Sequence, residues 1–166
     1  MRMLGFIGSS GSGKTTLITQ ILPLLRQRGL RVSALKHAHH GFDIDRPGKD
    51  SYRYREAGAE EVMLVADGRW ALLHEGAEDD DMSLQAVVCR MAPVDILLVE
   101  GFKMAHIPKI EVYRPSLGRP PFYSEDSEVV AIASDAAIET DGRPALSLND
   151  PVQVAGFILA QVMALP

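Results

Sequence analysis

Residues 8–15 read Gly-Ser-Ser-Gly-Ser-Gly-Lys-Thr, a complete match to the pattern G-x-x-x-x-G-K-[ST]. This run constrains the fold more than any other, because its chemistry works only between a buried strand and the start of a helix. Gly8, Gly11 and Gly13 allow backbone N–H groups to turn inward around phosphate oxygens. Ser9, Ser10 and Ser12 fill the loop between them. The helix beginning near Lys14 adds its positive N-terminal end. Lys14 brings a full charge to the β- and γ-phosphates of a nucleotide, and the Thr15 hydroxyl can ligate Mg²⁺. With glycine near 7% of ordinary sequence, a chance match in a chain of 166 residues is on the order of 1%.

The flanks agree with the loop. Residues 3–7 are an apolar run that reads as a buried strand. After the loop, Leu17, Ile18, Ile21, Leu22 and Leu25 recur at helical spacing, and Gly29 closes the segment as a C-terminal cap. Pro23 falls inside this helix, where it should kink it or leave one carbonyl unpaired. Residues 30–36 read as a second strand. Strand, helix and strand make a βαβ unit and imply a parallel sheet. A polar loop covers residues 37–49, and a short helix starts at Asp50 or Ser51 and stops at Gly58.

Residues 61–66 and 69–74 are joined by Asp67-Gly68, a strong hairpin signal. A two-residue turn pairs Val65 with Trp70 and Met63 with Leu72 on one face. Val62 with Leu73, and Leu64 with Ala71, share the other. Both faces are apolar, so either helices or a second subunit must cover the hairpin. An acidic run at residues 78–81 precedes a helix with Leu84, Val87, Val88 and Met91 on one side. Cys89 beside this stripe is read as a packing residue. Further strands are expected at 94–99, at Lys109–Tyr113 and at 129–133, with a proline-bearing loop at 114–126. The last helix has Asp150 as N-cap and Pro151 at its first position, followed by Val152, Ala155, Ile158, Leu159 and Val162. The whole is α/β: one P-loop nucleotide-binding domain over residues 1–166, with a mostly parallel sheet flanked by helices and an added β-hairpin at about 61–74.

A phosphate loop needs a carboxylate near Mg²⁺, at the carboxyl end of a neighbouring strand. Asp95 starts the 94–99 strand and Glu100 ends it, so Glu100 is the candidate. Gly101 beside it would let the backbone approach the γ-phosphate. The segment Lys36-His37-Ala38-His39-His40-Gly41-Phe42-Asp43-Ile44-Asp45 leaves the carboxyl end of the second strand, and three readings stay open. Asp43 or Asp45 can order the attacking water or a Mg²⁺-bound water. His37, His39 and His40 can bind a transition metal. Lys36, Lys49 and the histidines can bind an anionic second ligand. His74 and His106 stand isolated.

The net charge of −5 argues against a dedicated nucleic-acid binder, while a Mg-neutralised nucleotide needs only a local positive site. One cysteine permits no intrachain disulfide and fits a reducing compartment. The apolar run at the N-terminus is too short for a signal peptide and no stretch approaches a membrane span. These features lead to the expectation of a cytoplasmic protein without a membrane partner.

The combination G-S-S-G-S-G-K-T-T, K-H-A-H-H-G-F-D-I-D-R-P-G-K-D-S, E-A-G-A, R-W-A-L and D-I-L-L-V-E-G-F-K resembles the molybdopterin-guanine dinucleotide biosynthesis protein B family, the MobB type. The resemblance covers roughly residues 3–113. It implies a GTP-binding adaptor with at most weak GTPase activity, to which the Thr15 and Glu100 reading adds Mg²⁺. Such a protein works beside the MobA-type nucleotidyltransferase that joins GMP to molybdenum-bound molybdopterin. It implies a homodimer and leaves open whether the pterin itself binds. The positions carried over are residues 8–16 (ending on Thr16), His37, His39, His40, Asp43, Asp45, Lys49, Asp50, Ser51, Glu100, Gly101 and Lys103.

The N-K-x-D base-reading motif of many GTPases is absent. Ser134-Asp135, after a buried strand, is the candidate replacement, since a carboxylate can accept hydrogens from guanine N1 and N2. Two other functions fit the phosphate loop: a small-molecule kinase, which usually needs an arginine-bearing lid, and a metallochaperone GTPase, suggested by the histidines. Arg114 and Arg119 flank the proline-rich loop without forming a dense arginine segment.

Overall fold

The computed structural model describes residues 1–38, 42, 44–76 and 81–164. In chain order the elements are β1 (Arg2–Ile7), α1 (Lys14–Gln27), β2 (Val32–Lys36), α2 (Asp50–Glu56), β3 (Glu61–Ala66), β4 (Arg69–His74), α3 (Leu84–Val88), β5 (Ile96–Glu100), β6 (Lys109–Tyr113), β7 (Val129–Ser134), β8 (Ala145–Ser147) and α4 (Pro151–Ala164). A short 3₁₀ turn, Pro115–Leu117, follows β6. The chain divides into two compact units: Met1–His37 with Met91–Pro166, and Ala38–Arg90.

The first unit is built on a six-stranded sheet in the order β2-β5-β1-β6-β7-β8. Every pairing in it is parallel. Parallel strands buried on both faces read as continuous apolar runs, and Ile96, Leu97, Leu98 and Val99 are all buried. β1 lies between β5 and β6, so the connection from β5 to β6 crosses it. The loop after β1 therefore opens at the crevice beyond the carboxyl ends of the strands.

Leu17, Ile18, Ile21 and Leu25 of α1 pack with Val154, Ala155 and Ile158 of α4 against Leu4, Phe6, Leu98 and Val112. Each buried Leu or Ile is worth about 1.5–3 kcal/mol. Four of them on α1 outweigh the ~3 kcal/mol that an internal proline costs. Pro23 is also exposed, as is Thr19, so the carbonyl left without an N–H partner meets water. Alternation sends Ile7 and Ile132 to the opposite face, where they meet Val129 at the start of β7 and Tyr123 from the segment before it.

Asp150 caps α4 as expected, accepting from the N–H groups of Val152 at 3.1 Å and Gln153 at 3.0 Å. Val152 itself is exposed, and Val154 takes the buried place instead. β8, three residues on the sheet edge, was not legible as a strand. No described helix is long and apolar enough to cross a membrane.

In the second unit the hairpin has the expected register, with Val65 opposite Trp70 and Met63 opposite Leu72. Of its apolar residues, Val62 is buried, whereas Val65 is 74% and Trp70 64% exposed. α3 ends at Val88 rather than reaching Met91. In a continued helix the Pro93 ring would clash with the carbonyl of Cys89, four residues back and the first position past Val88. Cys89, expected to pack, is exposed just past that helix end. Residues 78–80 of the acidic run lie outside the described residues. Asp81 accepts from the Ser83 N–H at 2.8 Å, and the Ser83 hydroxyl caps α3 by accepting from the Ala86 N–H at 3.3 Å.

Candidate functional site

β1 delivers the glycine loop to the crevice, and β6 dictates its path. A side chain at Gly8, where φ is 141°, would place its Cβ 2.3 Å from the Val112 carbonyl oxygen and 2.9 Å from the Ser12 hydroxyl. Only glycine fits there. Gly13 is the N-cap of α1, and no side chain caps that end. The first amides of α1 therefore point into the loop, where an anion can accept from them. The Ser12 hydroxyl is buried and has no hydrogen-bond partner among the described residues.

Lys14 folds over its own loop, donating to the Gly8 carbonyl at 3.0 Å and the Ser9 carbonyl at 2.8 Å. Burial pushes its ammonium below the ordinary lysine value, Glu100 opposes that shift, and the nearby charges of Lys103 and Lys36 add to it. A cation crowded by other cations and stripped of water is one that a phosphate would relieve.

Glu100 ends β5 and stands at the correct end of the strand. Its carboxylate accepts the Thr15 hydroxyl, with both oxygens at 2.9 Å. Asp95, at the opposite end of the crevice strands, instead accepts from the Arg31 N–H. Thr15 and Glu100 present the hard oxygen donors that Mg²⁺ takes, and they do so beside a loop built for phosphates. These residues fit the ion. Bound there, Mg²⁺ would neutralise phosphate charge.

Gly101 has φ 94°, and a Cβ on it would sit 3.0 Å from the His37 Cβ. Its smallness thus makes room for His37 just past the end of β2. The His37 ring lies 4.5 Å from the Phe102 ring at 30°, and the His37 backbone N–H donates to the Glu100 backbone carbonyl at 2.8 Å. Lys103 stands 4.3 Å over the Phe122 ring. Asp135, just past β7, is ion-paired with Arg114. Arg114 also donates from Nε to the Ser12 carbonyl at 2.9 Å. This arginine links the proposed base-reading carboxylate to the phosphate loop.

The remaining predicted residues fall in the second unit. His39, His40 and Asp43 lie outside the described residues. Asp45 accepts from the Ser51 hydroxyl at 2.8 Å, the Arg46 N–H at 2.9 Å and Arg55 Nε at 3.4 Å. Burial alone would raise its carboxyl, but these hydrogen bonds prevail and hold it below the ordinary range. Asp45 is thereby the anchor of the first turn of α2, where Lys49 is the N-cap residue, Asp50 opens the helix and Ser51 is buried.

Sequence reasoning did not assign Lys36 to the Thr15–Glu100 pair. Lys36 Nζ lies 3.2 Å from Glu100 Oε1 and 3.4 Å from Thr15 Oγ1. The available signal was that β2 and β5 end in charges of opposite sign, and those ends pair in register.

Residues 3–135 match the family described as "Molybdopterin guanine dinucleotide synthesis protein B". The chain is 41% identical over 160 residues to the "Molybdopterin-guanine dinucleotide biosynthesis adapter protein" of Escherichia coli (strain K12), covering 95% of this chain and 91% of that one. It is 41% identical over 156 residues to the protein of the same description from Haemophilus influenzae, covering 94% and 86%. The crystal structure of Bacillus subtilis MobB superposes with a TM-score of 0.76 at 28% identity, over 97% of this chain and 98% of that one.

Proposed function

The chain belongs to the molybdopterin guanine dinucleotide synthesis protein B family, and we propose that it is a GTP-binding adaptor in the biosynthesis of that dinucleotide. In this reading residues 8–16 hold the phosphates, Thr15 and Glu100 hold Mg²⁺, and Asp135 reads guanine. The observation that carries it is the gathering of positive charge at the phosphate loop, with Lys36 beside Thr15 and Glu100 and with Lys36 and Lys103 both felt by Lys14, in a chain of net charge −5. Relatives described as adapter proteins support the accessory role. The partner is the nucleotidyltransferase that attaches GMP to molybdopterin.

Hydrolysis is weak in this proposal. An arginine aimed at transferring phosphate is worth about 10³–10⁵ in rate, and Arg114 is instead engaged by Asp135 and the Ser12 carbonyl. The exposed apolar face of Met63, Val65, Trp70 and Leu72 supports a homodimer in which a second copy covers the hairpin. The protein works in the cytoplasm, where its lone cysteine stays reduced.

The test is calorimetry with GTP, GDP and ATP, with and without Mg²⁺, on wild type, Lys14→Ala and Glu100→Ala. GTP is expected to bind best, Lys14→Ala to abolish binding or nearly so, and Glu100→Ala to lose the benefit of Mg²⁺. Unchanged affinity in Lys14→Ala overturns the phosphate-loop assignment. Failure of the wild type to co-purify with the nucleotidyltransferase overturns the adaptor role.

A further inference from the structure

Lys36 stands where a cation is wanted. Its ammonium is 3.2 Å from Glu100 Oε1 and 3.4 Å from Thr15 Oγ1. The Thr15 hydroxyl gives its hydrogen to the same carboxylate. Three groups from three different elements thus close on one point: the end of β2, the first turn of α1 and the end of β5. The Glu100 side chain is only 12% exposed, so its charge needs a partner, while Lys36 is 59% exposed and free to swing on its stem. Mg²⁺ binds its oxygen ligands at about 2.0–2.1 Å and carries two charges. An ammonium this close to both oxygens is in direct competition with such an ion.

We propose that Lys36 is a tethered cation that occupies the Thr15–Glu100 site when Mg²⁺ is absent and yields it when Mg²⁺ arrives with a nucleotide. The inference rests on the reading of Thr15 and Glu100 as the Mg²⁺ residues. Lys36 has two effects in this scheme. Without Mg²⁺ its charge stays beside the phosphates and supports nucleotide binding. With Mg²⁺ it must leave Glu100, and that departure subtracts from what the metal contributes. Both effects blunt the dependence of nucleotide affinity on Mg²⁺. Lys36 acts through Glu100 and Thr15, so it is a positioning residue.

The measurable quantity is the ratio of the GTP dissociation constant in EDTA to that in Mg²⁺, taken by calorimetry on the full chain. Lys36→Met keeps an unbranched side chain, shorter by the one terminal atom, and removes its charge. It should raise the ratio by roughly tenfold, the scale of one partly exposed ion pair. Lys36→Arg should return the ratio toward wild type. In the Glu100→Gln background the substitution should leave the ratio unchanged. A merely structural lysine would shift both dissociation constants together and leave the ratio alone, which overturns the inference.

A second arm needs no nucleotide. Mn²⁺ alone, titrated by electron paramagnetic resonance, should bind Lys36→Met more tightly than wild type, and Glu100→Gln should remove the gain. If GTP fails to bind the wild type, the phosphate-loop reading falls and the Mn²⁺ arm decides the role of Lys36. If GTP binds and neither the ratio nor Mn²⁺ affinity changes, only the tethered-cation inference falls.

Discussion

At the carboxyl ends of β1, β2 and β5 the polar groups find one another, while along β3 and β4 the apolar groups stay exposed. Lys14 rests on two loop carbonyls, and Thr15, Glu100 and Lys36 share one hydrogen-bonded cluster. Met63, Val65 and Trp70 have no such internal solution. The two regions differ in what a ligand must offer them. A polar group trades one hydrogen bond for another at a net of about 0.5–1.5 kcal/mol, so the phosphate end can be filled and emptied readily. Apolar surface yields about 25 cal/mol per Å² only once it is covered, so the hairpin favours a lasting contact.

Substitutions in the two regions should therefore fail separately. The largest effect is expected from Lys14→Ala, which should weaken GTP binding by about 100-fold, the scale of a charge-assisted contact. Self-association measured by light scattering should not change. Trp70→Asp should do the reverse, weakening self-association by about 30-fold, as loss of a central aromatic anchor does, with GTP affinity intact. If Trp70→Asp also reduces GTP binding, the two regions are coupled and the contrast is wrong.

A smaller effect tests the base. Asp135→Asn should lower the preference for GTP over ATP by about tenfold, the net worth of one hydrogen bond at the upper end of its usual range. A selectivity ratio that stays at its wild-type value removes Asp135 from base reading.

The smallest effect is a divergence in acid. Asp45 is held below its ordinary value by hydrogen bonds that prevail over burial. Its contribution to the Ala38–Arg90 unit is present above the unfolded carboxyl value and is lost as pH falls through the folded one. Glu111 is shifted the other way, because burial outweighs the N–H groups of Phe122 and Tyr123 that it accepts from. Between its unfolded and raised folded values the sheet unit takes up a proton that the unfolded chain does not, and so it gains stability as pH falls. Trp70, the only tryptophan, reports on the hairpin unit, while β-sheet circular dichroism reports chiefly on the other. On acidification the tryptophan transition should come first. Coincident transitions would erase the distinction.

Local signals made much of this legible. Asp67-Gly68 dictated the hairpin register residue by residue. Strand polarity alone selected Glu100 over Asp95, and Asp150-Pro151 marked the start of α4. What escaped depended on partners distant in sequence. Arg114 acquires its role only when β6 and β7 bring it to Ser12 and Asp135. Gly101 also makes room for His37, which follows β2, and that contact has no local signal in the sequence. β8 is three residues long and has too little pattern to announce itself.

The strand order also bears on how the chain is made. Among the described residues β1 pairs only with β5 and β6, and β2 only with β5. As the chain leaves the ribosome, the glycine loop and α1 emerge early but have no sheet to lean on. At about 5–20 residues per second, the 89 residues from Ile7 to Ile96 correspond to a wait on the order of 5–20 s. By the end of that interval the Ala38–Arg90 unit is complete in sequence, with its hairpin and α2 made of local contacts. The inserted piece can fold before its host, and the apolar strand β1 is the segment for which a nascent-chain chaperone has the most to do.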